Sequence, residues 1–325
     1  MFKKLLKISI VLALIVVILG AYTRLSDAGL GCPDWPGCYG QLIVPDAADG
    51  TRLEGYDRPL EAAKGWKEMV HRYAASTLGL VILTLWFLAL RGKPQRFQSM
   101  TLPSFTALFV MLQGAFGMWT VTLMVHPGIV TTHLIGGFVT TALLVWLYLN
   151  QNNQASAYRH ILKRHKYLLF LTLFALSLQI VLGGWTSTNY AALSCGDQFP
   201  TCLDSWWPNM DFAKALYWGP IGAEYDYEYG VLENQARAAI QMMHRIGALI
   251  TTILIISLVF SFKHYLHLKN NLLLIGGLLA VQVMLGILNV VLSLPMFIAV
   301  LHNTFALLLL LSIVGLVHKI FKTNT

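Results

Sequence analysis

The sequence predicts an all-α integral membrane protein, with eight transmembrane helices forming two duplicated four-helix bundles related by a pseudo-twofold axis along the membrane normal. Three observations predict it. The chain has 325 residues, 56% hydrophobic and only 12% charged, with a mean hydropathy of +0.62, well outside the soluble norm. Its charges are sorted to opposite ends of a series of apolar runs. Its two halves also match each other in sequence.

Eight runs approach the ~20 residues that a helix needs to cross ~30 Å of hydrocarbon. None alternates as a barrel strand does, and in lipid the backbone must satisfy its own hydrogen bonds, so each is expected to be a helix. The first, 6–24, follows the basic start MFKKLLK. A signal peptide has the same pattern, but its removal would leave seven spans and break the repeat, so a retained helix is expected. The second, 68–90, opens on EMVHRYAAS, and the third, 103–124, contains LQGAFGMWTV. After a short loop with His126, the fourth, 128–149, contains TTHLIGG. The fifth, 167–188, ends on GWTST, and the sixth, 237–260, contains MHRIGAL. The seventh, 271–293, contains VQVMLGILNV, and the eighth, 296–318, contains LHNTFA.

The N-terminus, the connections 91–102, 150–166 and 261–270, and the C-terminus hold 14 Lys and Arg and no acidic residue. All 15 Asp and Glu lie in or beside the long loops 25–67 and 189–236. Lys and Arg collect on cytoplasmic loops, so both termini are expected in the cytoplasm and both long loops outside, in a multi-pass membrane protein. The net charge of +8 is thus a topology signal. It gives no support to a nucleic-acid partner, because the basic residues are split among five short segments. Membrane lipid is the partner such segments suit.

The duplication runs through the whole chain. Gln113 and Gln282, Gly117 and Gly286, and His133 and His302 are each separated by 169 residues. VHRYAASTLG and MHRIGALITT match at an offset of 173, and Thr23 with Thr186 and Cys32 with Cys195 at 163. The offset drifts only where the outer loops differ in length. Such self-similarity marks a duplicated unit, here of four helices, so the two units are parallel. The expected division is 1–160 and 161–325.

Of ten histidines the repeat selects four: His71, His133, His244 and His302. All four lie a few residues inside the outer start of their helices, roughly 5–10 Å below the surface at 1.5 Å per residue. His71 is expected to face His133, and His244 to face His302. Two imidazoles at one depth on facing helices suit the axial ligation of a haem iron. Gly79, Gly136, Gly137 and Gly247 leave room for a flat ligand. A single intramembrane histidine is more simply a hydrogen-bonding residue between helices; four at corresponding positions favour haem. A bare metal ion would need further ligands in each half. His160, His165, His264, His267 and His318 fall at the cytoplasmic boundary and receive no chemistry.

One asymmetry separates the halves. EMVHR in the first is QMMHR in the second, so Glu68 stands one turn before His71 where Gln241 stands before His244. An ionisable group there is a functional candidate, against the simpler reading of a carboxylate at a helix N-terminus. Arg72 and Arg245 are candidates for haem propionates or for outer-loop acids. All four cysteines lie in the two long loops, Cys32 and Cys38 in the first, Cys195 and Cys202 in the second. On the oxidising side a disulfide within each loop is the economical expectation. A small exposed disulfide is readily reduced, which leaves redox exchange open beside a structural staple.

TRLSDAGLGCPDWPGCYG, EMVHRYAAS, QGAFGMWTV, TTHLIGG, MHRIGAL and LHNTFA together resemble the haem A synthase family, in its cysteine-bearing bacterial branch. The resemblance covers essentially the whole chain. It implies oxidation of the C8 methyl group of haem O to a formyl group by successive hydroxylations, for terminal oxidases. It further implies that His71 and His133 hold the substrate haem, that His244 and His302 hold a haem B cofactor, and that Glu68 is the essential acid. Haem O synthase and cytochrome oxidase assembly proteins are the partners it implies. The competing class is a non-enzymatic di-haem b-type electron-transfer protein, which the histidines alone allow; the Glu68/Gln241 asymmetry and the tryptophan-bearing cysteine loops favour the enzyme.

Overall fold

A computed structural model describes residues 2–92, 99–151 and 162–321. Among them are eight helices long and apolar enough to cross a membrane, and no β-strand. They are α1 (Phe2–Leu25), α2 (Ala62–Arg91), α3 (Thr101–Thr122), α4 (Pro127–Asn150), α5 (Lys163–Thr188), α7 (Asn234–Phe262), α8 (Lys269–Val291) and α9 (Met296–Phe321). A four-residue helix, α6 (Phe212–Ala215), lies in the second long loop, capped by Asp211, whose carboxylate accepts from the Lys214 amide at 2.9 Å. A 3₁₀ turn, Leu266–Leu268, joins α7 to α8.

The eight expected spans are present, and four of the helices, α1, α2, α5 and α7, start at least three residues before the expected runs. α2 begins at Ala62 and α7 at Asn234, earlier than the apolar runs do. Their first turns carry Lys64, Trp66, Lys67 and Arg237, which end an apolar run without ending a helix. Helices with apolar residues on every face suit lipid: Ile8, Val11 and Ile15 of α1 and Leu108, Met111 and Leu112 of α3 are exposed.

α1 to α4 pack in a ring, each against its two neighbours, and α5, α7, α8 and α9 pack in a second ring. The rings meet through α4 with α5, α1 with α9, and α4 with α9. This set of neighbours is unchanged when the halves are exchanged. The seam is apolar: Val17 of α1 and Phe138 of α4 join Leu176, Ile255, Leu310 and Ile313 in one buried cluster. A second cluster, with Leu6, Ala13, Leu78, Ile82, Leu85 and Leu144, fills the first ring away from the long loops. Both long loops lie at the same end of the molecule, where they touch.

Candidate haem sites and the outer cap

His71 and His133 project toward each other from α2 and α4, with ring centroids 6.5 Å apart and planes perpendicular. A metal held between two imidazoles needs a bond of about 2.0–2.1 Å to each. Two such bonds plus the two ring radii span about the separation seen here. His244 on α7 and His302 on α9 are electrostatic neighbours in the second ring. All four rings are half-buried. The Nδ1 atoms of His71, His133 and His302 are buried without a hydrogen-bond partner, as are polar atoms of Gln241, Gln282, Asn289 and Asn303. Buried polar atoms are rarely orphaned in a complete structure, so both rings have unmet capacity for a ligand. Among the described residues no three His, Cys, Asp or Glu are placed to hold a metal ion by themselves.

Each ring rests on a glycine of a neighbouring helix: His71 on Gly20, His133 on Gly117, His244 on Gly183 and His302 on Gly286. A methyl group at these glycines would stand 2.9, 3.2, 3.2 and 3.1 Å from the imidazole Cε1 atoms, so any larger residue would displace the rings. The repeat already aligned Gly117 with Gly286, but nothing in the one-dimensional pattern says that these glycines face histidines. Glutamines reinforce three of the four places. Gln113 donates to the His133 carbonyl at 2.6 Å. The Gln179 amide lies 2.9 Å from both the carbonyl and the Nδ1 of His244. The Gln282 amide lies 3.3 Å from the Nε2 of His302.

Above the rings each long loop folds as a cap. Disulfides join Cys32 to Cys38 and Cys195 to Cys202, and no described cysteine is free. In each cap the second cysteine closes a tight turn: the Cys38 amide donates to Gln41 at 2.7 Å and the Cys202 amide to Ser205 at 2.9 Å. All four cysteines are at most 1% exposed, which corrects the expectation of an exposed, easily reduced bridge. Cys32 and Cys38 pack with Tyr39, Val44, Leu60 and Met69, and Cys195 and Cys202 with Ala238 and Met242. The loops turn back onto their own helices, and that packing excludes water from the sulfurs.

Arg72 and Arg245 hold these caps. Arg72 donates to the carbonyls of Asp34, Pro36 and Gly37 at 3.0, 3.3 and 2.5 Å. Arg245 donates to those of Gln198, Pro200 and Thr201 at 2.9, 3.3 and 2.9 Å. Both arginines bind loop carbonyls, and Arg72 also binds a carboxylate of its own helix, Glu68. The halves differ beneath. Glu68 is 4% exposed, pairs with Arg72 at 2.5 Å and accepts from the Cys32 amide at 2.9 Å. It is therefore covered by the first cap rather than open at a wet helix end. Gln241, equally buried, leaves its Oε1 unpartnered.

The second loop also reaches over the first half. Arg58 binds Asp226 and Glu228, both at 2.7 Å, and the Tyr227 amide donates to the Met124 carbonyl at 3.2 Å. Burial opposes the Arg58 charge, but the two carboxylates outweigh it and raise its pKa. His126, fully buried, packs against Trp218 and Tyr227 and caps α4 by accepting from the Gly128 amide at 3.2 Å. Burial pushes its pKa down from the usual histidine value. Segment 214–236, for which the sequence suggests no role, thus supplies a clasp between the halves. Of the boundary histidines, His165 meets Tyr265 at 3.1 Å and His318 meets Asn150 at 2.8 Å, while His160 lies outside the described residues.

A family model described as cytochrome oxidase assembly protein, COX15-CtaA, matches residues 3–314. The chain belongs to this family. A protein named heme A synthase from Shewanella oneidensis is 45% identical over 318 residues, covering 95% of this chain and 94% of its own. Heme A synthases from Sinorhizobium fredii, 28% identical over 91% of this chain and 83% of their own, and from Halalkalibacterium halodurans, 24% identical over 89% and 86%, are more distant relatives. The family match runs from α1 into α9 and includes both caps of this chain.

Proposed function

We propose that this protein is a haem A synthase, a membrane oxidoreductase that converts the C8 methyl group of haem O to a formyl group by successive hydroxylations. The observation that carries this reading is one carboxylate. Two similar histidine sites lie under two similar caps, and only the first has Glu68, buried and joined to both Arg72 and the Cys32 amide. Full-length similarity to proteins named heme A synthase supports it.

In this reading the halves are 1–160 and 161–325, related by a twofold axis along the membrane normal. His71 and His133 hold the substrate haem; His244 and His302 hold haem B, which when bound supplies a one-electron redox centre. The glycine cradles let the imidazoles sit back against the neighbouring helices, and the caps keep bulk water from the outer end of each site. Glu68, at the capped end, accepts protons released from the substrate methyl group or stabilises positive charge beside it. Arg72 positions Glu68 while holding the cap above it. The long apolar tail of haem O favours entry from the bilayer at about 0.8 kcal/mol per buried methylene. The protein sits in the bacterial inner membrane with both termini in the cytoplasm, and it works beside haem O synthase and cytochrome oxidase assembly proteins.

Pigment extraction from purified variants, with separation of haem B, O and A, tests the assignment. His244→Ala and His302→Ala should lose tightly held haem B. His71→Ala and His133→Ala should retain haem B but make no haem A. Equal loss of all pigment from all four variants would overturn the two-site reading. Normal haem A yield from the His71 and His133 variants would leave a di-haem electron-transfer protein.

A further inference from the structure

The two caps match each other at an offset of 164: Trp35 with Phe199, Pro36 with Pro200, Cys38 with Cys202, Leu42 with Trp206 and Ile43 with Trp207. In both, the tight turn closed by the second cysteine is followed at once by two large apolar residues that the rest of the molecule leaves open. Leu42 and Ile43 are 78% and 57% exposed, and Trp206 and Trp207 are 71% and 63% exposed. Trp35 and Phe199, just before the paired prolines, are exposed as well. The bridges are buried, so each cap turns its sulfurs inward and its apolar tip outward.

Exposed apolar side chains repeated at matched places mark a surface that meets something apolar, and the helices show at what level. The Leu42 carbonyl accepts from the Tyr73 hydroxyl. Arg72 holds the carbonyls of Asp34, Pro36 and Gly37, and Arg245 those of Gln198, Pro200 and Thr201. Tyr73, Arg72 and Arg245 stand one or two residues past His71 and His244, inside the apolar runs. Tyr73 is thus about 16 Å along α2 from its start at Ala62. Each cap therefore descends beside its helix to the level of the candidate ligands. The helix face at this level is itself exposed: Val70 and Tyr73 on α2, and Ile246, the match of Tyr73, on α7. A bilayer that covers those positions reaches the tips too.

We propose that the two cap tips are interfacial anchors that bind lipid at the headgroup level of the leaflet on the cap side. Trp35, Leu42 and Ile43 form the first tip, and Phe199, Trp206 and Trp207 form the second. Tryptophan gathers at that level because its ring is apolar and its N–H polar, and a side chain there meets both lipid and water. Lipid is the occupant because the tips continue the lipid-facing surfaces of α2 and α7. The inference needs only that the helices span a membrane, and it does not depend on the haem assignment.

The test uses the full-length protein in vesicles of phosphatidylcholine and phosphatidylglycerol. The native cysteines are bridged, so a nitroxide can be placed at Ile43→Cys, Trp206→Cys or Trp207→Cys, with Glu54→Cys, exposed elsewhere in the first loop, as the reference. Relaxation of each label by oxygen, which concentrates in lipid, is compared with relaxation by a nickel chelate, which stays in water. The ratio of oxygen to chelate effect should be several-fold higher at the three tip sites than at Glu54. Tip labels as open to the chelate as the reference overturn the proposal. Tip labels shielded from both reagents, the result for a surface covered by a second copy or another protein, overturn it equally. A second measurement needs no label. Phosphatidylcholine brominated on the upper part of its acyl chains should quench a larger fraction of the wild-type tryptophan fluorescence than of that of the Trp206→Phe, Trp207→Phe double variant. Equal quenched fractions overturn the proposal even where the cysteine variants fail to fold.

Discussion

Glu68 and Gln241 stand at matched places on α2 and α7, and both are 4% exposed. The carboxylate binds Arg72 and the Cys32 amide. The amide leaves Arg245 to its loop carbonyls. The proposed function gives Glu68 a role in chemistry beside the structural one that these contacts show, and a pair of variants separates the two. Glu68→Gln should fold and bind haem, yet accumulate haem O or a hydroxylated intermediate, with turnover down about 10²–10⁴-fold as for a lost proton-transfer group. It should also melt at a lower temperature, because a buried ion pair that loses one member leaves the other charge uncompensated. Adding Arg72→Met should lower the melting temperature further, because it also leaves the Asp34, Pro36 and Gly37 carbonyls without their donor, and should restore none of the turnover. Normal haem A yield from Glu68→Gln would return Glu68 to a purely structural role. The asymmetry was visible in EMVHR against QMMHR. The cap over it was not, since no local pattern brings Cys32 onto a residue 36 positions later.

The helices were legible because a lipid-crossing segment announces itself by length and hydropathy alone. Their polar ends were not, and neither was the glycine on which each histidine rests. Helix-to-helix facing is decided by tertiary packing, which one-dimensional periodicity does not encode. The clasp was equally hidden: segment 214–236 has no strong pattern, and its contacts to Arg58, Met124 and His126 span the two halves. Its behaviour with pH follows from His126. Burial holds the His126 pKa below the ordinary value of about 6.5. An opened clasp therefore binds a proton that the closed clasp does not. Closure is fully stable above that ordinary value and is lost progressively as pH falls below it. Limited proteolysis within 214–230 should thus quicken several-fold between pH 7.5 and 5.5. His126→Asn, which keeps an acceptor for the α4 N-terminus, should flatten that dependence; a variant as pH-sensitive as the wild type would exclude His126. The disulfides make a second prediction at this scale. Cys32→Ala with Cys38→Ala should lower turnover more than Cys195→Ala with Cys202→Ala, because only the first bridge orders an amide that binds Glu68. Equal effects would make both bridges simple staples.

At the scale of the whole molecule, charge sorting and duplication carried most of the architecture, and the symmetric set of helix neighbours agrees with them. Orientation is open to a direct check. The native cysteines are all bridged and buried, so they give no labelling background. Leu42→Cys, at a position 78% exposed in the first cap, should react with an impermeant maleimide in intact cells. His267→Cys, exposed at the opposite end, should react only after permeabilisation. The reverse pattern would invert the topology. The bond between Arg58 and Glu228 joins residues 170 positions apart. At about 5–20 residues per second of synthesis, the ribosome needs on the order of 10–30 s to deliver the second partner after the first. During that interval the first cap stands without its latch. The latch therefore closes only once the second half has been made, whereas the Cys32–Cys38 bridge needs residues of the first loop alone.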